Sequence, residues 1–71
     1  MKTQIMTATE AINQSICQNE IVHIADHTTV QHELTAACDD WVNAGEDQDG
    51  ETILEFWGTQ NGDEWRVHLH I

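Results

Sequence analysis

Six of the chain's thirteen acidic residues fall between Asp39 and Glu51: Asp39, Asp40, Glu46, Asp47, Asp49 and Glu51. Carboxylates spread along a surface can imitate the phosphates of a duplex, which run at roughly one charge per 1.7 Å of axis. Such a surface would occupy a basic groove meant for DNA or RNA. A solvated loop is the plain alternative. Trp57 belongs with these acids as an apolar anchor, because tryptophan is a residue type on which interfaces concentrate their binding energy.

The histidines are the second group able to do chemistry. His23, His27, His32, His68 and His70, with Cys38, contain the donors of a zinc site, but their spacing matches no established signature. His68-x-His70 puts two imidazoles on one strand face. His23 would join them only if its strand lies beside theirs. Asp47-Gln48-Asp49-Gly50-Glu51 lacks the later oxygen positions of a calcium loop. No base is placed beside a thiol or hydroxyl, and no glycine-rich loop could cradle a phosphate. Partner contact is therefore assigned to Asp39, Asp40, Glu46, Asp47, Asp49, Glu51 and Trp57. No residue is assigned to catalysis or to a metal, and no cofactor is expected.

Composition narrows the partner. Two basic residues stand against thirteen acidic ones, for a formal net charge of −11. That field repels nucleic acid and anionic membranes and attracts basic protein surfaces. Seventy-one residues make one domain, 1–71. A domain of this size hides only about 60% of the surface its unfolded chain exposes, so its core is small. Three Trp, one Phe and many aliphatic residues still argue for a folded chain rather than an acidic tail. There is no long apolar run and no signal-peptide pattern after Lys2, which leads to an expectation of a cytoplasmic protein. Cys17 and Cys38 are then reduced thiols, small buried side chains on two helices.

These residues need elements to position them. Thr7-Ala8-Thr9-Glu10 has capping-box spacing, and Ala8, Ile12 and Ile16 follow at helical intervals, predicting a helix over 8–18 that stops at Asn19. Residues before Thr7 are read as a frayed end or an edge strand. Residues 20–25 are β-branched and short, as in a strand. Thr28-Thr29-Val30-Gln31 repeats the capping-box spacing. Val30, Leu34, Ala37, Cys38, Trp41 and Val42 then form an apolar stripe, predicting a helix over 29–44 with Gly45 at its left-handed end. On that reading Asp39, Asp40 and Glu46 crowd the negative pole of a helix, where acids are unfavourable. This hints at another use for their charge. Residues 45–51 form a mobile acidic loop.

Asn61-Gly62 is a two-residue type I′ turn signal between 52–58 and 64–71. It predicts the pairs Phe56/Val67, Leu54/Leu69 and Thr52/Ile71 on one face, with Trp65 beside Gly58. Trp57/Arg66, Glu55/His68 and Ile53/His70 lie on the other. The expected fold is α+β, in the order α-β-α-β-β. Two helices cover the Leu54/Phe56/Val67/Leu69 face of a three-stranded sheet, with Trp41 and Trp65 in the core. The opposite face is open, showing Ile53, Trp57, Arg66, His68 and His70.

In its size, one-sided charge, lack of catalytic residues and small α+β fold, the chain resembles small acidic phage-encoded inhibitors, including anti-CRISPR and DNA-mimic proteins. No motif carries the likeness, so no functional residue is transferred. The resemblance implies a non-enzymatic protein that binds a basic surface of a nucleic-acid-binding protein or nuclease complex and blocks nucleic-acid access. It implies no cofactor and a place in the host cytoplasm. The alternative is a self-associating module, a homodimer through the open sheet face, with acidity serving solubility. A third reading is an acidic protein suited to high salt, with no special partner.

Overall fold

The computed structural model describes residues 3–71. The chain runs α1 (Ala8–Gln18), β1 (Val22–Ala25), α2 (Val30–Ala37), β2 (Asp40–Glu46), β3 (Thr52–Gln60) and β4 (Asp63–His70). The four strands form one mixed sheet in the order β1-β4-β3-β2. β1 runs parallel to β4, and the other neighbours are antiparallel. The class is α+β as expected, with one strand more than the expected three.

α1 forms where its capping box predicts. Thr7 Oγ1 accepts from the Glu10 amide at 3.1 Å, and the Thr7 amide donates to Glu10 Oε1 at 3.0 Å. Asn19 ends the helix in a left-handed conformation. Ahead of the helix, Gln4 makes an isolated parallel bridge to Ile24, so the segment before Thr7 touches β1 as an edge. Met1 and Lys2 lie outside the described residues.

The expected helix over 29–44 is two elements. α2 covers only Val30–Ala37, capped by Thr29 without a side-chain hydrogen bond, and Cys38 is already extended. From Asp40 the chain pairs with β3, Asp40 opposite Trp57 and Trp41 opposite Phe56. The helical stripe through Trp41 and Val42 also reads as strand alternation. The strand prevails because the outer edge of β3 offers backbone partners to aromatic and β-branched residues. Asp39 and Asp40 follow the Cys38 cap directly, so they remain beside the helix's negative end. Trp41 consequently leaves the core. It is 44% exposed and packs beside Phe56, ring centroids 6.0 Å apart. Gly45 has positive φ, but within a β-bulge between Asn43 and Glu46 rather than at a helix end. Cys17 is exposed and Cys38 half-buried, not the buried pair expected.

The C-terminal hairpin follows the predicted register throughout, from Gln60/Asp63 to Ile53/His70, with Thr52 and Ile71 exchanging backbone bonds. Asn61 (φ 52°) and Gly62 (φ 85°) both take the left-handed region that a type I′ turn demands. The core lies on the predicted face. Leu54, Phe56, Trp65, Val67 and Leu69 meet Val22 and Ile24 of β1, Ala8, Ala11 and Ile12 of α1, and Val30 and Leu34 of α2.

Two close fits hold this core in register. A Cβ on Gly58 would stand 2.8 Å from Trp65 Cζ2, so the indole uses the space that glycine leaves. Buried Ser15 on α1 serves backbone groups where β4 extends past the start of β1. Its hydroxyl accepts from the Arg66 amide at 2.9 Å and lies 2.8 Å from the Glu20 carbonyl and 3.1 Å from that of Arg66. Ser15→Ala leaves those groups unpaired and should lower unfolding free energy by about 1–3 kcal/mol in a urea titration. Gly58→Ala forces the indole to move and should cost about 1–3 kcal/mol in the same measurement. An unchanged midpoint for either variant contradicts the packing described.

Candidate functional site

The acids named from sequence fall into two groups. Asp39 and Asp40 lie at the start of β2, and Glu46, Asp47, Asp49 and Glu51 at its end and in the following loop. Six strand steps separate Asp40 from Glu46, about 20 Å. Asp39, Asp40, Glu46, Asp49 and Glu51 are exposed.

The first group meets Trp57. The Asp39 amide donates to the Trp57 carbonyl at 2.8 Å, and Asp40 pairs with Trp57 in register. A groove of about 370 Å³ opens there, where the C-terminus of α1 meets the ends of the strands. Glu20, Asp39 and Glu64 supply carboxylates to its wall, with Trp57 and Asn19 beside them. The last turn of α1 carries no basic residue to balance its negative pole. Arg66 also borders the groove, and its Nε stands 3.7 Å from Glu55 Oε2. The arrangement suits a cation, since the acidic residues of the lining attract its charge. Glu20 and Glu64 were not singled out from sequence. Nothing local marks them, because the groove exists only once α1 lies against β4.

The second group is organised by Asp47. Its Oδ1 accepts from the amides of Asp49 and Glu51, both at 2.9 Å, and its Oδ2 takes a bond from His70 Nδ1 at 2.7 Å. The loop expected to be mobile is thus closed around a carboxylate only 7% exposed. These bonds, that of His70 foremost, hold the Asp47 carboxyl below the usual range. Its charge faces inward, unlike the other five.

The sheet face expected to be open is partly closed for the same reason. His70 is 2% exposed, while Ile53, Trp57 and His68 are half-buried and Arg66 exposed. β1 does pair beside β4, with His23 directly opposite His68. His23 Nδ1 lies 3.0 Å from His70 Nε2, and its ring meets the His68 ring edge-on at 5.0 Å. His68 Nε2 bonds Glu55 Oε1 at 3.0 Å. Burial, then the neighbouring His68 and His70 rings, lower the His23 pKa. Burial pushes the Cys38 thiol up, and Asp40 and Asp39 add to this, which holds it as the poorly nucleophilic thiol. His27 lies apart, Nε2 2.6 Å from the Met6 carbonyl, and His32 is exposed on α2.

Among the described residues no helix is long and apolar enough to cross a membrane. No protein-family model, curated protein or solved structure matches this chain.

The lowered His23 pKa sets a direction for stability. Above the ordinary value of 6.5 the neutral ring is present in both folded and unfolded chains. Below it the unfolded chain takes up a proton that the folded one resists, so stability falls as pH drops through 6.5 toward the lower folded value. Urea titrations at pH 7.5 and pH 5.5 in chelating buffer should show this loss, and His23→Gln should reduce it. An equal loss in the variant contradicts the assignment.

Proposed function

We propose that this chain is a small acidic inhibitor that covers a basic surface of a nucleic-acid-binding protein or nuclease complex and blocks nucleic-acid access. The observation that carries the reading is the groove whose lining brings together Glu20, Asp39 and Glu64, with Trp57 also at its border. It gives a net charge of −11 a shaped place to receive a lysine or arginine. Asp40 extends this contact along β2. Glu46, Asp49 and Glu51 supply a second, outer contact about 20 Å away. Long-range attraction speeds such an encounter, and salt screens it.

A second copy is the competing partner, favoured by β2, whose seven residues are all exposed, Trp41 and Val42 by 44% and 47%. Charge weighs against it. Asp40 and Glu46 put acids on the free edge and a bulge bends it, both of which discourage edge-to-edge pairing. Two like copies also repel.

The test is capture from source-cell lysate at graded salt, with DNA or RNA as competitor. Retained nucleic-acid-binding proteins should be released by salt and displaced by the nucleic acid. Asp39→Lys with Glu64→Lys should weaken capture at least about tenfold, near 1.4 kcal/mol. Asp49→Lys with Glu51→Lys should weaken it less. Reversal of Asp47 is uninformative because it breaks the bond to His70. Capture indifferent to salt and to both pairs of reversals overturns the proposal. Salt-stable recovery of the chain alone, sedimenting as a dimer, supports the second copy.

A further inference from the structure

The three histidines of the covered sheet face have an arrangement that packing does not explain. His70 is almost fully buried in a domain with little interior, and it uses Nδ1 on the Asp47 carboxylate. Because a carboxylate only accepts, Nδ1 carries the proton, and Nε2 of the neutral ring presents a lone pair toward His23 Nδ1, 3.0 Å away. His68 repeats the pattern with its nitrogens exchanged. Nε2 is on the Glu55 carboxylate, and Nδ1 is buried with no hydrogen-bond partner among the described residues. A buried nitrogen without a partner is destabilising, and this one belongs to a ring that meets the His23 imidazole edge-on.

We propose that His23 Nδ1, His68 Nδ1 and His70 Nε2 form a binding site for a divalent transition-metal ion of the zinc type, with Asp47 and Glu55 orienting two of the rings. Imidazole nitrogens bind zinc at 2.0–2.1 Å, so two ligands of a tetrahedral ion stand about 3.3 Å apart. The His23 and His70 nitrogens, 3.0 Å apart, reach that spacing by a shift of a few tenths of an ångström. As they stand, the ligand atoms of the three rings do not all lie within 4.8 Å of one another, so the His68 ring must turn from its edge-on contact with His23 to close the set, which costs it no hydrogen bond at Nδ1. Water completes the shell. Metal-bound histidines almost always give their other nitrogen to a carboxylate or carbonyl, which fixes the tautomer; Asp47 and Glu55 do so here. The surrounding negative charge favours a cation. The ion would tie β1 to β4 and the Asp47 loop, the kind of staple on which very small domains depend. This inference is independent of the proposed inhibitory role.

A competing cation site shares one of these rings. Ligand atoms of Asp47, Glu51 and His70 lie within 4.8 Å of one another. The experiment separates the two. Untagged, metal-stripped full chain carrying Cys17→Ser and Cys38→Ser is titrated with zinc chloride by calorimetry and melted with and without zinc. Cobalt(II) absorption reports coordination number. One equivalent should bind, with the intense visible bands of a four-coordinate ion. The melting midpoint should rise by about 11–22 °C at a hundredfold excess over Kd. His23→Gln and His68→Gln, both at half-buried positions, should keep their metal-free midpoints near that of the parent and lose the rise. Glu51→Gln should retain it. Absence of binding, a rise that persists in both histidine variants, or a rise lost in Glu51→Gln but kept in His68→Gln each overturns the proposal.

Discussion

The parallel pairing of β1 with β4 is the constraint on which the rest of the structure depends. β4 is an inner strand, and its alternate residues serve two faces. Trp65, Val67 and Leu69 enter the core, while Arg66, His68 and His70 face away. The register Val22/Val67 to Ala25/His70 sends Val22 and Ile24 into that core. By the same alternation it sets His23 against His68 and His70. A slip of one residue would bury His23 among leucines and expose Val22 and Ile24, so hydrophobic burial and the histidine arrangement enforce each other. Parallel pairing needs a crossover, and the segment through α2 and the two later strands supplies it. Ser15 then satisfies the stretch of β4 that β1 does not reach.

The parts of this design legible in the sequence are those set by neighbours along the chain. The 52–71 hairpin was readable to the residue because a turn with two left-handed positions fixes which side chains oppose which. α1 was readable from Thr7 and Glu10, which meet within a single turn. The stretch 38–46 was not. Trp41 and Val42 satisfy a helical stripe and a strand alternation equally, and what decides between them is the free edge of β3, unknown until the sheet exists. With that decision goes the fourth strand, the exposure of Trp41 and the true position of Asp39 and Asp40.

The candidate sites divide in the same way. His68-x-His70 shares a face by strand alternation alone, and His23 joins by a pairing that the sequence raised only as a condition. The bond from Asp47 to His70 was invisible, since it joins a loop to a strand end through a turn closed by Asp47's own carboxylate. The groove was invisible too, because Glu20 and Asp39 come from two separate connections and Glu64 from the start of β4.

A net charge of −11 describes the chain but overstates the uniformity of its surface. Asp47 and Glu55 are turned toward His70 and His68, whose rings they position. Outward charge gathers at the groove bordered by Trp57 and among the exposed acids near the end of β2, while Glu10, Asp26, Glu33 and Asp63 are exposed elsewhere. Arg66 borders that groove and His70 lies four residues along the same strand, about 13 Å away. One rigid inner strand therefore carries both the acidic groove and the histidine cluster, facing them toward different occupants. Repulsion among the acids opposes compactness in so small a domain. The carboxylate–imidazole bonds on the sheet face work against that loosening by tying the Asp47 loop and β3 to β4.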